Sequence, residues 1–446
     1  MDKNIKMIMV ISFWVGLWGV LSLIFNNAVI FPGPYDVLRT MFYKMIEPFF
    51  WLTVGGSMLR ILIGFIIACL SGCLLAIIGY RIPLVHDFIS PVIQLMKSAP
   101  IVCIIVLLLV WFGVEIVDVV TVIIAVTPIF FFAIAEACQN RDKNIANMLK
   151  VHKVPTDTIW RVFEWPGVLP YFNQAAQTGI GISWKSAVTA QMIGVVAYTI
   201  GEGVFTSKIT LDSATLVVWL MVVVVLGWTC EKIIIAIIRN LTKKWELKGV
   251  EISERDPERK IDVDKQAKLL ISEITKIYNK KKVLDKYSLN MQAGDRIALT
   301  GPTGSGKTTL IRIIMGIESC NHGEVFTKDY EPRTYSAVFQ ECTLLPNLSV
   351  DENIMVIANK YSNDELVPGN LMPDELSGGM KRCAEIERAL LAQSQIVILD
   401  EPFAGLDSST KTKAIKYIDE HLSGRMLILI THDKKDAKRL KCSLKD

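Results

Sequence analysis

The sequence predicts two domains of different class: an all-α membrane domain of about six spanning helices, followed by an α/β domain. Charge divides the chain, because Lys, Arg, Asp and Glu make up 29 of residues 1–240 but 63 of residues 241–446. Long apolar runs fill the first part, whereas short β-branched runs alternate with helical patterns in the second. A mean hydropathy of +0.39 and a hydrophobic content of 51% exclude a disordered chain and a single ordinary soluble domain.

Six apolar segments have about the 20 residues that a membrane-spanning helix needs. They lie near residues 7–25, 51–79, 88–112, 116–137, 174–197 and 214–238. The third is the weakest of the six, because Lys97 and Pro100 interrupt it. The first is not expected to be a cleaved signal peptide, because no small-residue cleavage site follows it before Asn26.

Basic residues indicate the orientation of these helices. Arg81 follows the second segment, several Lys and Arg residues crowd the connection after the fourth and others follow the sixth, whereas the connection between the third and fourth carries Glu115 and Asp118 without Lys or Arg. We therefore expect a multi-pass protein of the plasma membrane, in contact with lipid, with both termini and the second domain in the cytoplasm. Net charge is small in both parts, so no nucleic-acid partner is expected. The nine cysteines have no metal-ligand or Cys-x-x-Cys spacing and are interpreted as reduced structural thiols.

Few ionisable residues fall inside the apolar segments: Arg60, Lys97, Glu136, Lys185 and Glu231. Such residues are candidates for function, although most lie near the segment ends, where long side chains can reach the interface. In the fifth segment, Lys185, Thr189 and Gln191 are candidates for lining a polar path.

The connection at residues 139–173, here called the coupling segment, is long, basic and amphipathic. Pro166 and Pro170 are expected to end a short helix and return the chain to the membrane. Two interpretations are open: an interfacial helix anchored by Trp160 and Trp165, or a docking helix for a cytoplasmic motor. The segment alone favours the first.

A phosphate-binding pattern follows the apolar run at residues 297–300 of the second domain. Residues 301–309, here called the phosphate loop, match G-x-x-x-x-G-K-[ST] between a predicted strand and a predicted helix. Backbone N–H groups of such a loop cradle phosphates, the lysine neutralises them and the first threonine binds Mg²⁺. The pattern predicts a bound nucleotide and Mg²⁺, held by Gly301, Gly304, Ser305, Gly306, Lys307, Thr308 and Thr309.

A second pattern, Asp400-Glu401, ends the buried apolar run at residues 396–399. Adjacent carboxylates at the end of a buried strand are costly without cation or water partners. Asp400 is therefore expected to hold Mg²⁺, and Glu401 is expected to polarise the attacking water.

Together with Ser377-Gly378-Gly379, here called the signature loop, the order of these motifs resembles an ABC-type ATPase. The resemblance implies that Tyr278 stacks on adenine, that Gln340 links the nucleotide and its metal to the membrane domain, that Asp407 contacts a second copy and that His432 contacts the γ-phosphate. It also implies that the signature loop of one copy closes over the phosphates held by Lys307 of another, and hence a homodimer. Departures from the family pattern are Met380 in place of the commoner glutamine and Arg382-Cys383 in place of Gln-Arg.

The membrane half resembles permeases of nitrate, sulfonate and taurine importers, a type I importer arrangement. The similarity lies in Phe31-Pro32-Gly33-Pro34, residues 60–64, Trp111-Phe112-Gly113 and the Pro-x-x-x-Pro end of the coupling segment. We therefore expect a permease domain at residues 1–248, a linker at 249–267 and an ABC ATPase domain at 268–446.

The leading hypothesis from the sequence is an ATP-driven importer of a small solute, a homodimer supplied by a separate solute-binding protein. A homodimeric exporter is one alternative, although the short connections at residues 80–87 and 113–118 argue against it. A membrane-anchored regulatory ATPase without transport is another. The transported solute is not predicted beyond the family, although Lys185 weakly favours an anion.

Overall fold

A computed structural model describes residues 3–25, 27–248, 264, 266–279, 281–302, 304–327, 335–359 and 365–445. Most of the predicted linker and Thr303 of the phosphate loop lie outside these residues. The chain divides into two compact units. The first comprises Met1–Asn140 and Val168–Thr242, and the second comprises Arg141–Gly167 and Lys243–Asp446. The central part of the coupling segment therefore belongs to the second unit.

The first unit is helical. Its helices are α1 (Lys3–Phe25), α2 (Pro34–Ile46), α3 (Pro48–Arg81), α4 (Pro83–Ser98), α5 (Ile101–Phe112), α6 (Val117–Gln139), α9 (Trp165–Gly194), α10 (Ile200–Ile209) and α11 (Ser213–Lys248), the numbers α7 and α8 falling in the second unit. Prolines at the first position of α2, α3 and α4 explain where those helices begin, because proline has no N–H to leave unpaired there.

Four described helices are long and apolar enough to cross a membrane: Ile5–Phe25, Pro48–Arg81, Val117–Gln139 and Ser213–Asn240. The third predicted span is instead two helices, α4 and α5, which meet at a bend of 107° beside Pro100. The fifth predicted span lies in α9, which falls short in hydropathy because Gln174, Gln177 and Lys185 interrupt its apolar residues. Length and composition thus give four spans, or five with the bent pair, where the sequence predicted about six.

Helices α3 and α6 pack through a row of small residues. Gly64, Ala68, Gly72 and Ala76 recur every four residues along α3 and are all buried. A Cβ atom at Gly72 would lie 2.7 Å from the carbonyl oxygen of Thr127. Small residues at this spacing let two helix backbones approach closely, as in membrane helix pairs.

A polar network joins four helices of the first unit. The Arg60 guanidinium lies 2.7 Å from both carboxylate oxygens of Asp118, whose side chain is fully buried. Gln191 donates to Asp118 at 2.9 Å and accepts a hydrogen bond from Ser57, whose Oγ accepts the N–H of Ile200. Buried charges are tolerated only when paired in this way, so the network fixes how α3, α6, α9 and α10 align.

The second unit begins with α7 (Lys143–Val151), α8 (Thr156–Ile159) and a π-helical turn (Trp160–Glu164). The α/β part contains β1 (Lys268–Tyr278), β2 (Lys281–Gln292), β3 (Arg296–Leu299), α12 (Lys307–Ile314), β4 (His322–Thr327), β5 (Tyr335–Val338), α13 (Val350–Ala358), a 3₁₀ turn (Pro373–Glu375), α14 (Gly378–Leu391), β6 (Ile396–Asp400), α15 (Ser408–His421), β7 (Met426–Ile430), α16 (Lys434–Arg439) and β8 (Ser443–Lys445).

Two sheets form the framework of this unit. One is antiparallel, in the order β2-β1-β4, and the other is parallel, in the order β5-β6-β7-β3-β8. Every residue of β6 and β7 is buried, as expected for central strands covered on both faces. Strand β3 leads into the phosphate loop, and β6 ends at Asp400. Both features of the predicted site therefore lie at the carboxyl edge of the parallel sheet, where ligands bind in such folds.

Candidate nucleotide-binding site

The phosphate loop connects β3 to α12. Gly306 has φ +93° and a Cβ there would lie 2.9 Å from the carbonyl oxygen of Val283, so this position requires glycine. Helix α12 begins at Lys307, and its N-terminal N–H groups therefore point into the loop. Lys307 Nζ donates to the carbonyl oxygens of Gly301 and Pro302, at 2.9 Å each. Positive charge and free N–H groups are thus concentrated where phosphates would bind.

The structure brings most of the predicted site residues together. A cavity of about 330 Å³ is lined by Tyr278, Gly304, Gly306, Lys307, Thr308, Thr309, Gln340, Glu401 and His432. Gly301 and Ser305 line an adjoining cavity of about 440 Å³ that shares Gly306 and Lys307 with the first.

Tyr278 lies at the end of β1 with its ring partly exposed. Its hydroxyl donates to Glu318, and Lys276 Nζ lies 3.0 Å from Glu318 and 5.0 Å from the centre of the Tyr278 ring. Burial, followed by the contact with Glu318, raises the pKa of the Tyr278 hydroxyl, which therefore stays neutral. These contacts hold the aromatic ring in place at the cavity, as stacking on a base requires.

Asp400 ends β6 and is 3% exposed. Burial, with a further contribution from the charge of Glu401, raises the pKa of the Asp400 carboxyl to about 6. Lys307, Arg382 and His432 oppose that rise. A carboxylate in such a place is stabilised by a bound cation.

Glu401 and His432 form a pair beside Asp400. Glu401 Oε1 lies 3.0 Å from His432 Nε2, and the Glu401 N–H donates to the carbonyl oxygen of Ile430. Glu401 has φ +48°, a costly conformation for a residue other than glycine. The backbone contact to β7 holds that conformation and directs the carboxylate towards the imidazole.

The three residues predicted to bind Mg²⁺ share a second cavity. Thr308, Gln340 and Asp400 line a space of about 90 Å³. Within the described part of the chain, no group of three or more His, Cys, Asp or Glu residues could hold a metal ion. A hydroxyl, an amide oxygen and one carboxylate nonetheless fit Mg²⁺, which binds few protein ligands and takes the rest from phosphates and water.

The signature loop and Asp407 do not line the phosphate-loop cavities of their own chain. Ser377 caps α14 by accepting the N–H of Met380, and Gly378 is exposed. Asp407 caps α15, and hydrogen bonds from Ser409 and Thr410 lower the pKa of its carboxyl. Within one chain these residues therefore do not contribute to the cavities at the phosphate loop.

The part of the coupling segment that belongs to the second unit packs on the α/β part. Ile145, Met148 and Leu149 of α7 are buried in one cluster with Leu345 and Leu348. Asp142 begins this helix by accepting the N–H groups of its first turn. A docking surface was one of the two interpretations open from the sequence, and these contacts favour it over an interfacial helix.

Several polar residues near the site were not predicted from the sequence. Asn144 of α7 donates to Glu341, next to Gln340, and both Asn144 and Asn147 line the 90 Å³ cavity. Arg382, Glu385 and Arg388 form a buried charged cluster on α14. Their spacing of three residues on a predicted helix was the available signal, since it places them on one face.

Comparison with known proteins identifies the α/β part. The family model described as ABC transporter matches residues 284–404. The sulfate/thiosulfate import ATP-binding protein of Anthoceros angustus is 34% identical over 194 residues, which cover 38% of this chain and 51% of that protein. The chain thus spans about half the length of this relative.

Other relatives are also import ATP-binding proteins by name. The glucose import protein of Saccharolobus solfataricus is 32% identical, covering 38% of this chain and 57% of its own. The thiamine import protein of Photorhabdus laumondii is 28% identical, covering 36% of this chain and 80% of its own. A solved dimeric ATP-binding cassette bound to ADP and phosphate is 27% identical, covering 38% of this chain and 90% of that chain, with a TM-score of 0.34.

Proposed function

We propose, from the premise that the C-terminal half of this chain is an ABC transporter ATP-binding domain, that the protein uses ATP hydrolysis to import a small solute. The observation that carries the proposal is the single cavity that gathers the phosphate loop, Gln340, Glu401 and His432. The import direction is supported by relatives that are named import proteins.

In the proposed reaction each residue has a separate role. Lys307 and the N–H groups at the start of α12 hold the phosphates, and Tyr278 holds the base. Bound Mg²⁺, held by Thr308, Gln340 and Asp400, would supply charge to neutralise the phosphate oxygens. Glu401 accepts the proton of the attacking water, and His432 holds the carboxylate in position.

The ATP-binding domain is proposed to work as a homodimer. Ser377, Gly378 and Gly379 do not contribute to the cavities at the phosphate loop of their own chain, which leaves them available to a second copy. In the proposed dimer the signature loop of each copy covers the phosphates bound by the other, with Asp407 at the contact. Two copies would then close two shared sites.

The helical half is proposed to be the permease, fused to its motor in the cytoplasm. Its long apolar helices and its buried Arg60–Asp118 pair support a membrane domain. A separate solute-binding protein would deliver a nitrate-, sulfonate- or taurine-like solute. Movement of the ATP-binding domains would reach the permease through α7, which contacts the segment after Gln340.

Transport by purified protein in liposomes tests this function. With ATP sealed inside, the chains whose ATP-binding domain faces the lumen should accumulate a labelled solute, with taurine, nitrate and sulfate as probes. Accumulation should require a solute-binding protein of the same organism, and Glu401→Gln should abolish it. ATP-driven loss of solute from the lumen would support an exporter instead. ATP hydrolysis without flux of any probe would support the regulatory ATPase.

A further inference from the structure

Residues 339–343 are hydrogen-bonded to α14 at both ends of the segment. At one end, Arg382 donates to the carbonyl oxygens of Phe339 at 2.5 Å and Gln340 at 2.6 Å. At the other end, Thr343 donates its N–H and hydroxyl to one oxygen of Glu385 at 2.6 and 2.9 Å. The residues between, 339–343, are here called the link segment.

The contacts between α14 and residues 339–343 form a continuous network of charge-assisted hydrogen bonds. Arg382 also donates to the second oxygen of Glu385 at 3.1 Å, and Arg388 donates to the carbonyl and hydroxyl oxygens of Thr343 at 2.8 and 2.7 Å. Glu385 and Arg388 are at most 1% exposed, and Arg382 is 8% exposed. Charge-assisted bonds away from water are stronger and more directional than neutral bonds at a surface.

The link segment connects the metal-binding residues to the coupling segment. Gln340 lines the 330 Å³ and 90 Å³ cavities, and its neighbour Glu341 accepts a hydrogen bond from Asn144 of α7. Because Arg382 fixes the carbonyl oxygens of the two peptides that flank the Gln340 Cα atom, it holds the Gln340 backbone in one orientation after the end of β5.

We propose that Arg382 is a positioning residue, which sets Gln340 in the geometry that binds Mg²⁺ and passes movement from the nucleotide to α7. The proposal rests on the proposed function, because it takes Gln340 as a metal-binding residue. The guanidinium is needed for its shape: two of its nitrogens reach two carbonyl oxygens and a carboxylate at once. A lysine would keep the charge but donate from a single nitrogen, without the fork that spans both carbonyl oxygens. A glutamine amide is neutral and would leave the Glu385 carboxylate without a cationic partner at this position.

The test measures the kinetics of ATP hydrolysis by the full chain in liposomes and, without turnover, the Mg²⁺ concentration that gives half of the rise in Tm in the presence of ADP, which Arg382→Gln should also increase. Arg382→Gln should lower kcat and raise the Mg²⁺ concentration for half-maximal rate, by about tenfold or more, as is typical when a residue that orients a metal-binding group is lost. KM for ATP should change by less than about twofold, because the phosphate-loop contacts remain. Arg382→Lys should be intermediate. Arg439→Gln, an exposed arginine in α16, serves as the matched control and should behave as the wild type.

A double-mutant cycle with Gln340→Ala separates positioning from general support of the fold. In the Gln340→Ala protein, Arg382→Gln should have no further effect on kcat, since the residue it positions is gone. The proposal would be overturned if the losses of kcat in the two single variants multiplied in the double variant. It would also be overturned if Arg382→Gln had the kcat and Mg²⁺ dependence of the wild type. If Arg382→Gln fails to fold, the same double-mutant cycle is measured with Arg382→Lys and Gln340→Ala. Absence of hydrolysis in the wild-type protein would count against the proposed function, whereas a failed cycle in an active protein counts against this inference alone.

Discussion

The carboxylate of Glu401 is held by two contacts of different kinds. Its backbone N–H bonds to β7, which fixes a left-handed conformation, and its side chain faces His432 at 3.0 Å. A strained residue persists only where its surroundings determine it, and such positions concentrate at functional sites. The backbone at the end of β6 and the contact with His432 thus determine the orientation of the Glu401 carboxylate.

Since Glu401 and His432 form one unit, their substitutions should not add. Glu401→Gln should lower kcat for ATP hydrolysis about 10²- to 10⁴-fold, the usual contribution of a general base. His432→Ala should also lower kcat, and the double variant should be no slower than the slower single variant. Steady-state hydrolysis by the three proteins checks this expectation. Independent effects that multiply would show that the two residues act separately.

Asp400 should make the protein without nucleotide and metal less stable as pH rises. Its carboxyl pKa is about 6 in the folded chain against 3.8 ordinarily. Between those values the folded state binds more protons than the unfolded state, so stability falls with rising pH and the loss is complete above pH 6. Asp400→Asn removes the buried charge and should stabilise the protein at pH 8 by roughly 2–3 kcal/mol.

Thermal unfolding of both proteins at pH 8 and pH 5 measures the effect. The Tm of Asp400→Asn should exceed that of the wild type at pH 8, and the difference should be smaller at pH 5. An equal difference in Tm at pH 8 and pH 5 would exclude titration of Asp400 as the cause of the difference.

At the scale of helices, the close contact between α3 and α6 leaves no room for a methyl group. A Cβ at Gly72 meets the Thr127 carbonyl oxygen and the Phe130 side chain, whereas one at Gly55 in the same helix meets nothing within 4 Å. Gly72→Ala should therefore lower the thermal stability of the detergent-solubilised protein. Gly55→Ala should leave it unchanged or raise it, since alanine favours a helix by about 1 kcal/mol. Equal behaviour of the two variants would contradict this packing.

Helix α7 offers a test of the proposed coupling. Met148 is fully buried among Leu345 and Leu348 of the α/β part. Met148→Asp would bury a charge there, so α7 should detach. We expect solute accumulation in liposomes to fall much further than ATP hydrolysis. Lys150→Asp, at an exposed position of the same helix, is the control and should retain both activities. Parallel loss of flux and hydrolysis in Met148→Asp would argue against a coupling role.

At the scale of the whole molecule, shared sites predict that two inactive chains can rescue each other. Lys307→Ala removes a phosphate contact, and Ser377→Arg blocks the signature loop. In a mixed dimer both defects fall in one shared site and the other site is intact. Co-expression should therefore restore up to about a quarter of wild-type hydrolysis, since half of randomly paired dimers are mixed and each has one good site. A mixture as inactive as its parents would count against sites shared in this way.

The class of the C-terminal half could be predicted from the sequence, whereas the number of spans depends on helix bending and on polar residues within helices. The phosphate loop and Asp400-Glu401 were predicted from local pattern, and the predicted ABC family and ATPase class are confirmed for the C-terminal half. The predicted order, a helical domain followed by an α/β domain, is also confirmed. The predicted count of about six differs from the four or five that helix length and composition give: Pro100 divides one predicted span, and Gln174, Gln177 and Lys185 lower the hydropathy of another.

Contacts between distant residues could not be predicted from pattern. The predicted polar path is one example: Lys185 is exposed, whereas Gln191 is buried against Asp118, so the two do not share one face of α9. The link segment is another, because Arg382 and Gln340 are 42 residues apart. Only the fold determines which loop a helical arginine faces.

The membership of Arg141–Gly167 in the second unit has a practical consequence. In the sequence, Ile145, Met148, Leu149 and Val162 lie in the middle of the helical half. In the fold, their side chains are buried against the α/β part. A fragment cut at the predicted linker would therefore present these apolar side chains to water and tend to aggregate. We therefore expect separate expression of the two halves to give aggregated protein, and co-expressed fragments to reassemble through this surface.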